Sequence, residues 1–249
     1  MTSPQQTTPV PFQPLDEDWQ TALAVVAHPD DMEYGAAAAV ARWTAQGKRV
    51  VYVMATSGEA GIDGMDPERC RTVREREQIE SAALVGVDVV EFLGHPDGVV
   101  EYGLPLRRDI ARAVRRHRPE IVITTNFRDT YGGVFPNQAD HIAVGRATLD
   151  GARDAGNRWV FQELVAEGYE PWNGVRQVWA AASPDARHAV DTTDHFHLGV
   201  ASLKAHKAYL EGLGGEMADA HGFLETTGRA AGERLGVRYA SSFEVLPLR

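Results

Sequence analysis

Residues 21–31 read TALAVVAHPDD, a mostly apolar run of seven residues that ends directly in a histidine, a proline and two aspartates. A run this short and apolar, Thr21–Ala27, is typical of a strand that is buried on both faces of a parallel sheet. Polar residues after such a strand lie at its carboxyl end, where open parallel sheets bind their ligands. The stretch therefore predicts both a parallel sheet and the position of a site on it.

Outward from this stretch, short apolar runs alternate with amphipathic segments, the pattern that predicts βαβ units. Further strands are predicted at Arg49–Ala55, Asp88–Leu93, Glu120–Thr125, Val175–Ala180, His188–Val190 and Val237–Leu246. Helices are predicted at Glu33–Gln46, Pro67–Val85, Leu104–Arg116, Asp140–Ala155, His195–Glu211 and Glu216–Leu235. We therefore expect an α/β fold, a Rossmann-like three-layer sandwich with a mostly parallel central sheet, in one domain over residues 21–249.

The composition limits the partners and the location of the protein. A net charge of −10 and a pI near 5.4 argue against a nucleic-acid partner, because binding to phosphates needs clustered Lys and Arg. Cys70 is the only cysteine, which excludes an intrachain disulfide and a cysteine-rich zinc site and favours the cytoplasm. No apolar stretch approaches the ~20 residues that cross a bilayer, so no membrane partner is expected. Residues 1–20 lack a secretory signal and are expected to form a flexible N-terminal arm.

Polar and ionisable residues follow four of the predicted strands directly. In chain order they are His28, Asp30 and Asp31, then Ser57, Gly58 and Glu59, then His95 and Asp97, then Asn126, Arg128 and Asp129, which lead to Asp140 and His141. Because the carboxyl ends of parallel strands meet at one edge of a sheet, we expect these groups to lie close together.

Two histidines and an aspartate among them suit a metal ion. Catalytic zinc sites take three protein ligands from His and carboxylate and leave a fourth position for water. His28 and Asp31 flank a turn that Pro29 stiffens, so both point at one ion; His141 is the third ligand. Its neighbour Asp140 is placed to orient an imidazole from outside. Taken alone, His-Pro-Asp-Asp is also typical of a turn and a helix N-cap, but its position after a buried strand and the matching Asp-His pair favour the metal site.

Three segments in this order, Ala27–Asp31, Thr56–Gly61 and Asp140–His141, resemble the LmbE-like or PIG-L-like N-acetylglucosaminyl deacetylases. The resemblance implies a hydrolase that removes the acetyl group from an amino-sugar conjugate, with Zn²⁺ or another divalent cation as its cofactor. It also implies that the small-molecule conjugate is the partner. Relatives often form multimers, so a homo-oligomer is one of the possible states of this chain, and the sequence leaves the oligomeric state open.

The same resemblance implies roles for individual residues. It assigns the metal to His28, Asp31 and His141 and the general base to Asp30. It implies that Arg74 and Asp97 hold sugar hydroxyls, that Glu59 approaches the metal or the substrate, and that His206 lies behind the site.

One position departs from the pattern of the family. Many relatives carry His-Pro-Asp-His where this chain has Gln138, Ala139, Asp140 and His141. An amide donates a hydrogen bond to an oxyanion but cannot deliver a proton. Three hypotheses therefore stay open: the deacetylase, an amidase that acts on another acyl amide or conjugate, and a non-catalytic descendant that binds sugar or metal.

Overall fold

The computed structural model describes residues 10–248, and within them the chain forms an eight-stranded sheet and a separate two-stranded sheet. The strands are β1 (Gln13–Pro14), β2 (Thr21–Val26), β3 (Arg49–Met54), β4 (Val90–Phe92), β5 (Ile121–Thr125), β6 (Thr130–Tyr131), β7 (Phe135–Pro136), β8 (Gln177–Ala181), β9 (His188–Asp191) and β10 (Ala240–Pro247). The α-helices are α1 (Asp31–Gly35), α2 (Ala37–Ala45), α3 (Pro67–Leu84), α4 (Leu104–His117), α5 (Ala139–Asp154), α6 (Gln162–Ala166), α7 (Phe196–Lys204), α8 (Lys207–Leu213), α9 (Gly215–Ala218) and α10 (Ala220–Leu235).

The large sheet has the strand order β1-β9-β10-β8-β5-β2-β3-β4. Strands β2, β3, β4, β5 and β8 run parallel, and β10 lies antiparallel between β8 and β9. From the centre, the chain passes from β2 to β3 and β4 on one side, and from β5 to β8 on the other. This reversal of strand order opens a crevice between β2 and β5 at their carboxyl ends.

Side chains of the central strands alternate between two cores, one on each face of the sheet. Along β2, Ala22, Ala24 and Val26 enter the core that α2 covers, whereas Leu23 and Val25 enter the core under α4 and α5. The sheet is therefore a middle layer between two layers of helices, which confirms the predicted α/β architecture with a mostly parallel sheet. Among the described residues, no helix combines the length and the apolar character needed to cross a membrane.

The segment before β2 differs from the prediction. Residues 1–9 of the predicted arm lie outside the described residues. Residues 10–20 are packed rather than loose, because Phe12, Leu15 and Trp19 are buried and β1 pairs with β9. Trp19 contacts the buried rings of Trp43 and Trp179 edge-on, at centroid distances of 5.3 and 6.0 Å. The Pro- and Gln-rich composition of this segment does not predict that these three apolar side chains are buried.

Three long helices of the prediction are each interrupted; the one expected at Glu216–Leu235 divides at Asp219 into α9 and α10. The helix expected at Glu33–Gln46 begins at Asp31 and breaks at Ala36, whose φ of −148° is not helical. The helix expected at His195–Glu211 is replaced by a 3-10 turn followed by α7 and α8. The β6–β7 hairpin and α6 carry no clear periodicity, and the prediction missed both. Elsewhere the strands and helices lie where the sequence places them, within a few residues.

Candidate metal centre and active site

The switch in strand order brings the two halves of the predicted site together. His28 and Asp31 follow β2, whereas Asp140 and His141 lie in the first turn of α5, which follows β5 and the hairpin. Since β2 and β5 are neighbours in the sheet, residues about 110 positions apart in the chain meet at one point.

Three potential ligand atoms converge beside the end of β2. Nδ1 of His28 lies 3.2 Å from Nε2 of His141, which in turn lies 3.0 Å from Oδ1 of Asp31. Ligands 2.0–2.2 Å from a tetrahedral Zn²⁺ stand about 3.3–3.6 Å apart, so these atoms are spaced for a single ion. Two imidazoles and a carboxylate are also a donor set that catalytic zinc uses. The residues present therefore form a cluster that could hold a metal ion.

The outer ring nitrogen of His28 faces two carboxylates. Nε2 lies 3.1 Å from Oδ1 of Asp97 and 3.3 Å from Oδ2 of Asp140. Burial lowers the pKa of His28, but hydrogen bonds to Asp140, Asp31 and Asp97 outweigh it and raise the pKa well above its ordinary value. When Nε2 donates its proton to these carboxylates, the lone pair of Nδ1 points at the ion site. The imidazole that Asp140 orients is thus that of His28.

Backbone N–H groups hold both carboxylates in place. Oδ2 of Asp97 accepts from Ala60 at 2.8 Å, and Asp140 accepts from Gly98 at 2.7 Å and from Val100 at 3.1 Å. Every oxygen of the two side chains has a partner within the protein. This geometry favours a positioning role for Asp97 over the sugar contact that the resemblance implies.

His141 is oriented by Asn137, a residue that the sequence analysis did not single out. Oδ1 of Asn137 lies 3.0 Å from Nδ1 of His141, and its amide nitrogen donates to the carbonyls of Asn126 and Arg128. These two donations fix which end of the amide faces the ring, so Nδ1 carries the proton and Nε2 is available for an ion. The hydroxyl of Tyr131 also lies 2.9 Å from Nδ1 of His141. The only signal in the sequence was an asparagine four residues before a predicted ligand.

Asp31 presents one oxygen to the ion site and uses the other locally. Its Oδ2 accepts from the N–H groups of Ala27 and His28, each at 2.9 Å, which leaves Oδ1 beside His141. Burial raises the pKa of Asp31, but the adjacent His141 and His28 reverse the shift and hold it well below its ordinary value. The side chain is therefore a carboxylate at neutral pH, as metal binding requires.

Asp30 has a left-handed backbone, with φ of 93° and ψ of −20°. This conformation costs a non-glycine residue about 1–2 kcal/mol. Two buried contacts hold it: its N–H donates to Oε1 of Gln78, and its carboxylate accepts from Arg74, each at 2.9 Å. Burial raises the pKa of Asp30 to about 6, although the positive charge of Arg74 opposes the shift. A carboxylate with a pKa in this range is suited to accept a proton near neutrality.

A buried polar network lies behind Asp30. Nε2 of Gln78 donates to Glu33 at 2.9 Å, and the hydroxyl of Ser81 donates to the same carboxylate at 2.8 Å. The fully buried His206 lies 3.7 Å from Glu33. Gln78 thereby links the backbone of Asp30 to a fixed core of polar groups, and His206 belongs to that core rather than to the ion site.

The remaining three predicted residues, Arg74, Glu59 and Gln138, lie in different surroundings. Arg74 is 2% exposed, lies over the ring of Tyr209 at 4.1 Å and reaches the cleft only beside Asp30. Glu59 turns into the loop after β3, where it accepts from the N–H of Asp97 at 3.2 Å. Gln138 is exposed at the N-terminus of α5 and lines the cleft next to His141. Of the three, Gln138 is the one whose side chain is free to meet a ligand.

These groups lie at one end of a cleft of about 1040 Å³ that follows the carboxyl edge of the sheet. The cleft extends from the ends of β2 and β5, past β8, to the start of β10, and one face of α10 covers it. A potential metal site, an adjacent base and an open cleft are the parts that metal-assisted hydrolysis requires.

One family profile, described as PIG-L: GlcNAc-PI de-N-acetylase, matches residues 23–152. That span is just over half of the chain and includes every residue of the metal centre. The chain belongs to the PIG-L family. This result confirms the resemblance that the three sequence motifs indicated.

Two curated relatives are deacetylases. Diacetylchitobiose deacetylase of Thermococcus kodakarensis is 25% identical over 236 residues, which cover 92% of this chain and 84% of that protein. The 1D-myo-inositol 2-acetamido-2-deoxy-alpha-D-glucopyranoside deacetylase of Kineococcus radiotolerans is 31% identical over 189 residues, which cover 59% of this chain. The chain spans only 50% of the length of this second relative.

A solved structure has the same fold. The N,N'-diacetylchitobiose deacetylase from Pyrococcus horikoshii, solved in complex with an inhibitor, superposes with a TM-score of 0.84 at 22% identity. The superposition covers 93% of this chain and 85% of the other. The architecture described above is therefore that of a known deacetylase.

Proposed function

We propose that this PIG-L protein is a zinc-dependent deacetylase that hydrolyses the acetamide of an N-acetylglucosamine-type conjugate. The two curated relatives described above are deacetylases whose names specify acetylated amino sugars. The observation that carries the proposal is the convergence of His28, Asp31 and His141 within ligand spacing, next to the buried carboxylate of Asp30.

In this proposal His28, Asp31 and His141 hold the ion, and zinc supplies Lewis-acid activation of water at neutral pH. Asp30 accepts the proton of the attacking water as the new C–O bond forms. The amide of Gln138 donates a hydrogen bond to the developing oxyanion, an interaction worth roughly 3–4 kcal/mol for one well-placed donor. Arg74 keeps Asp30 oriented.

Asp30 also completes the reaction. Because Gln138 cannot deliver a proton, the proton that Asp30 has accepted passes to the nitrogen of the leaving amine as the C–N bond breaks. The products are acetate and a free amino sugar, and the carboxylate is regenerated.

The wider setting of the protein is part of the same proposal. The partner is a small amino-sugar conjugate, and the cytoplasm is the proposed location. The single Cys70 supports this location, and the net charge of −10 argues against a nucleic-acid partner. The amidase alternative uses the same catalytic groups and differs only in what flanks the scissile carbonyl.

Acetate release from the metal-loaded protein tests the proposal. The purified protein is stripped with a chelator, reloaded with Zn²⁺ and incubated with a set of N-acetylglucosamine conjugates, and acetate and free amine are measured. We expect His141→Ala to lose both zinc and turnover, while His221→Ala, at an exposed position outside the cleft, retains both. Stoichiometric zinc without acetate from any of the conjugates would contradict the proposal.

A further inference from the structure

The peptide unit that joins Pro29 to Asp30 is held at both of its polar ends by α3. Its carbonyl oxygen accepts from Nη2 of Arg74 at 2.5 Å. Its N–H donates to Oε1 of Gln78 at 2.9 Å. Arg74 and Gln78 are four residues apart in α3, so they lie on the same face of the helix, one turn from each other. One helix therefore fixes the orientation of the peptide that precedes the proposed base.

The side chain of Gln78 is itself fixed with its oxygen toward this N–H. Its Nε2 donates to Oε1 of Glu33 at 2.9 Å, which only the nitrogen end of the amide can do. Glu33 accepts from the hydroxyl of Ser81 as well, at 2.8 Å, so the carboxylate is held from a second side. Both Gln78 and Glu33 are buried. An amide that is bonded at both ends and enclosed by protein has a single orientation.

The backbone of Asp30 depends on such support. A φ of 93° is unfavourable for a residue that carries a Cβ. Because the peptide unit is planar, a rotation that brought φ to a negative value would reverse its N–H and its C=O, and both hydrogen bonds to α3 would be lost. The N–H of Asp30 would then lie buried without its acceptor, which costs free energy. The two bonds therefore keep Asp30 in its left-handed conformation.

Of the two anchors on α3, Gln78 acts on geometry alone. Arg74 also donates to the carboxylate of Asp30 at 2.9 Å and lowers its pKa, so a change of Arg74 alters charge and position together. Gln78 is uncharged, and its side chain does not line the cleft. A displacement of about 1 Å in a reacting group lowers a rate by about 100-fold, so an uncharged anchor of this kind has a measurable effect on catalysis.

We propose that Gln78 is a positioning residue for the reaction. By accepting from the N–H of Asp30, it holds the peptide in the orientation that presents the carboxylate of Asp30 to the cleft. This inference rests on the proposed function, because it assigns a further residue to that reaction. Loss of the acceptor displaces the base without removing it.

The first test is the kinetics of Gln78→Met, which removes the acceptor and nearly preserves the volume of the side chain. With the Zn²⁺-loaded protein and an N-acetylglucosamine conjugate that the wild type deacetylates, kcat should fall about 10–100-fold. KM should stay within about threefold of the wild type, and zinc content should stay near one per chain, because Gln78 contacts neither the cleft nor the ligand atoms. A kcat within about threefold of the wild type, or a loss of zinc in step with kcat, would overturn the inference.

A double-mutant cycle distinguishes positioning from a general loss of stability. In the Asp30→Asn background no base remains to be displaced, so adding Gln78→Met should lower kcat by less than about twofold. A merely structural role predicts the same factor in both backgrounds. That result would contradict the assignment.

Two further variants serve as controls. Gln177→Met makes the same substitution at the end of β8 that is remote from the cleft, where Oε1 accepts from the indole N–H of Trp179 at 2.7 Å, and it should keep the kcat of the wild type. Gln78→Asn retains a buried amide, which protects the fold, but its oxygen is withdrawn by one methylene, and kcat should fall as for Gln78→Met. Equal losses in Gln177→Met and Gln78→Met, or a wild-type kcat in Gln78→Asn, would count against the inference.

Hydrogen exchange separates this inference from the proposed function. The exchange rate of the backbone N–H of Asp30, measured by NMR, should rise at least tenfold in Gln78→Met and Gln78→Asn and stay unchanged in Gln177→Met. Faster exchange, with no acetate from any conjugate, would refute the deacetylase and leave the anchoring of the peptide by Gln78 standing. Unchanged exchange, combined with acetate release, would refute the inference and leave the deacetylase standing.

Discussion

Replacement of Asp30 by asparagine separates the proposed base from the proposed metal ligands. Asparagine tolerates the left-handed backbone at φ of 93° and keeps an oxygen that accepts from Arg74, so the fold should lose only about 1 kcal/mol. The ligand atoms of His28, Asp31 and His141 are unchanged, and zinc content should stay near one per chain. Loss of a general base lowers kcat by about 10²–10⁴, equivalent to about 3–5 kcal/mol in the barrier.

The neighbouring Asp31→Asn variant is the matched control, because it makes the same chemical change one residue away. Its zinc affinity should fall, since one oxygen of Asp31 faces the ion site. Metal content by mass spectrometry and kcat by acetate release are measured for both variants. The assignment is refuted if Asp30→Asn loses zinc as Asp31→Asn does, or if it keeps kcat within about threefold of the wild type.

Three further changes test other parts of the structure. Asn137→Ala removes the amide oxygen that accepts from Nδ1 of His141, which leaves only the Tyr131 hydroxyl beside that nitrogen, and should weaken zinc binding about 10–100-fold in a chelator competition, unlike Asn157→Ala, a distant change. Gln138→His supplies a group that can transfer protons and should raise kcat, by up to about 100-fold if proton delivery limits the rate; an unchanged pH profile would argue against this role. Trp179→Ala leaves a cavity in the cluster of tryptophans under α2 and should lower the free energy of unfolding by about 3–5 kcal/mol, measured in denaturant.

The fold could be predicted because the strands that determine it are buried on both faces. Thr21–Ala27 and Glu120–Thr125 are too short and too apolar for any other common element, and the amphipathic segments between strands leave little choice of topology. The segment at 10–20 could not be predicted in this way. Phe12, Leu15 and Trp19 are spaced by three and four residues in a segment that forms no helix, and they are buried by residues far along the chain, such as Trp179 against Trp19.

The candidate site, too, could be predicted only in part from the sequence. His28, Asp31 and His141 were predicted to converge because each follows a strand, and the topology brings them together. Asn137 carries no such pattern, since its role depends on the carbonyls that hold its amide. The sequence predicted that Asp140 orients an imidazole, but only the adjacency of β2 and α5 shows that this imidazole is that of His28.

The antiparallel position of β10 has a consequence for how the protein is made. Strands β8 and β9 are not neighbours in the large sheet until residues 240–247 enter between them. A nascent chain that has emerged from the ribosome only through α10 therefore exposes two unpaired strand edges, which are prone to aggregation. The start of β10 also lines the cleft, so a premature stop codon before Ala240 would leave both strand edges unpaired and remove part of the cleft wall.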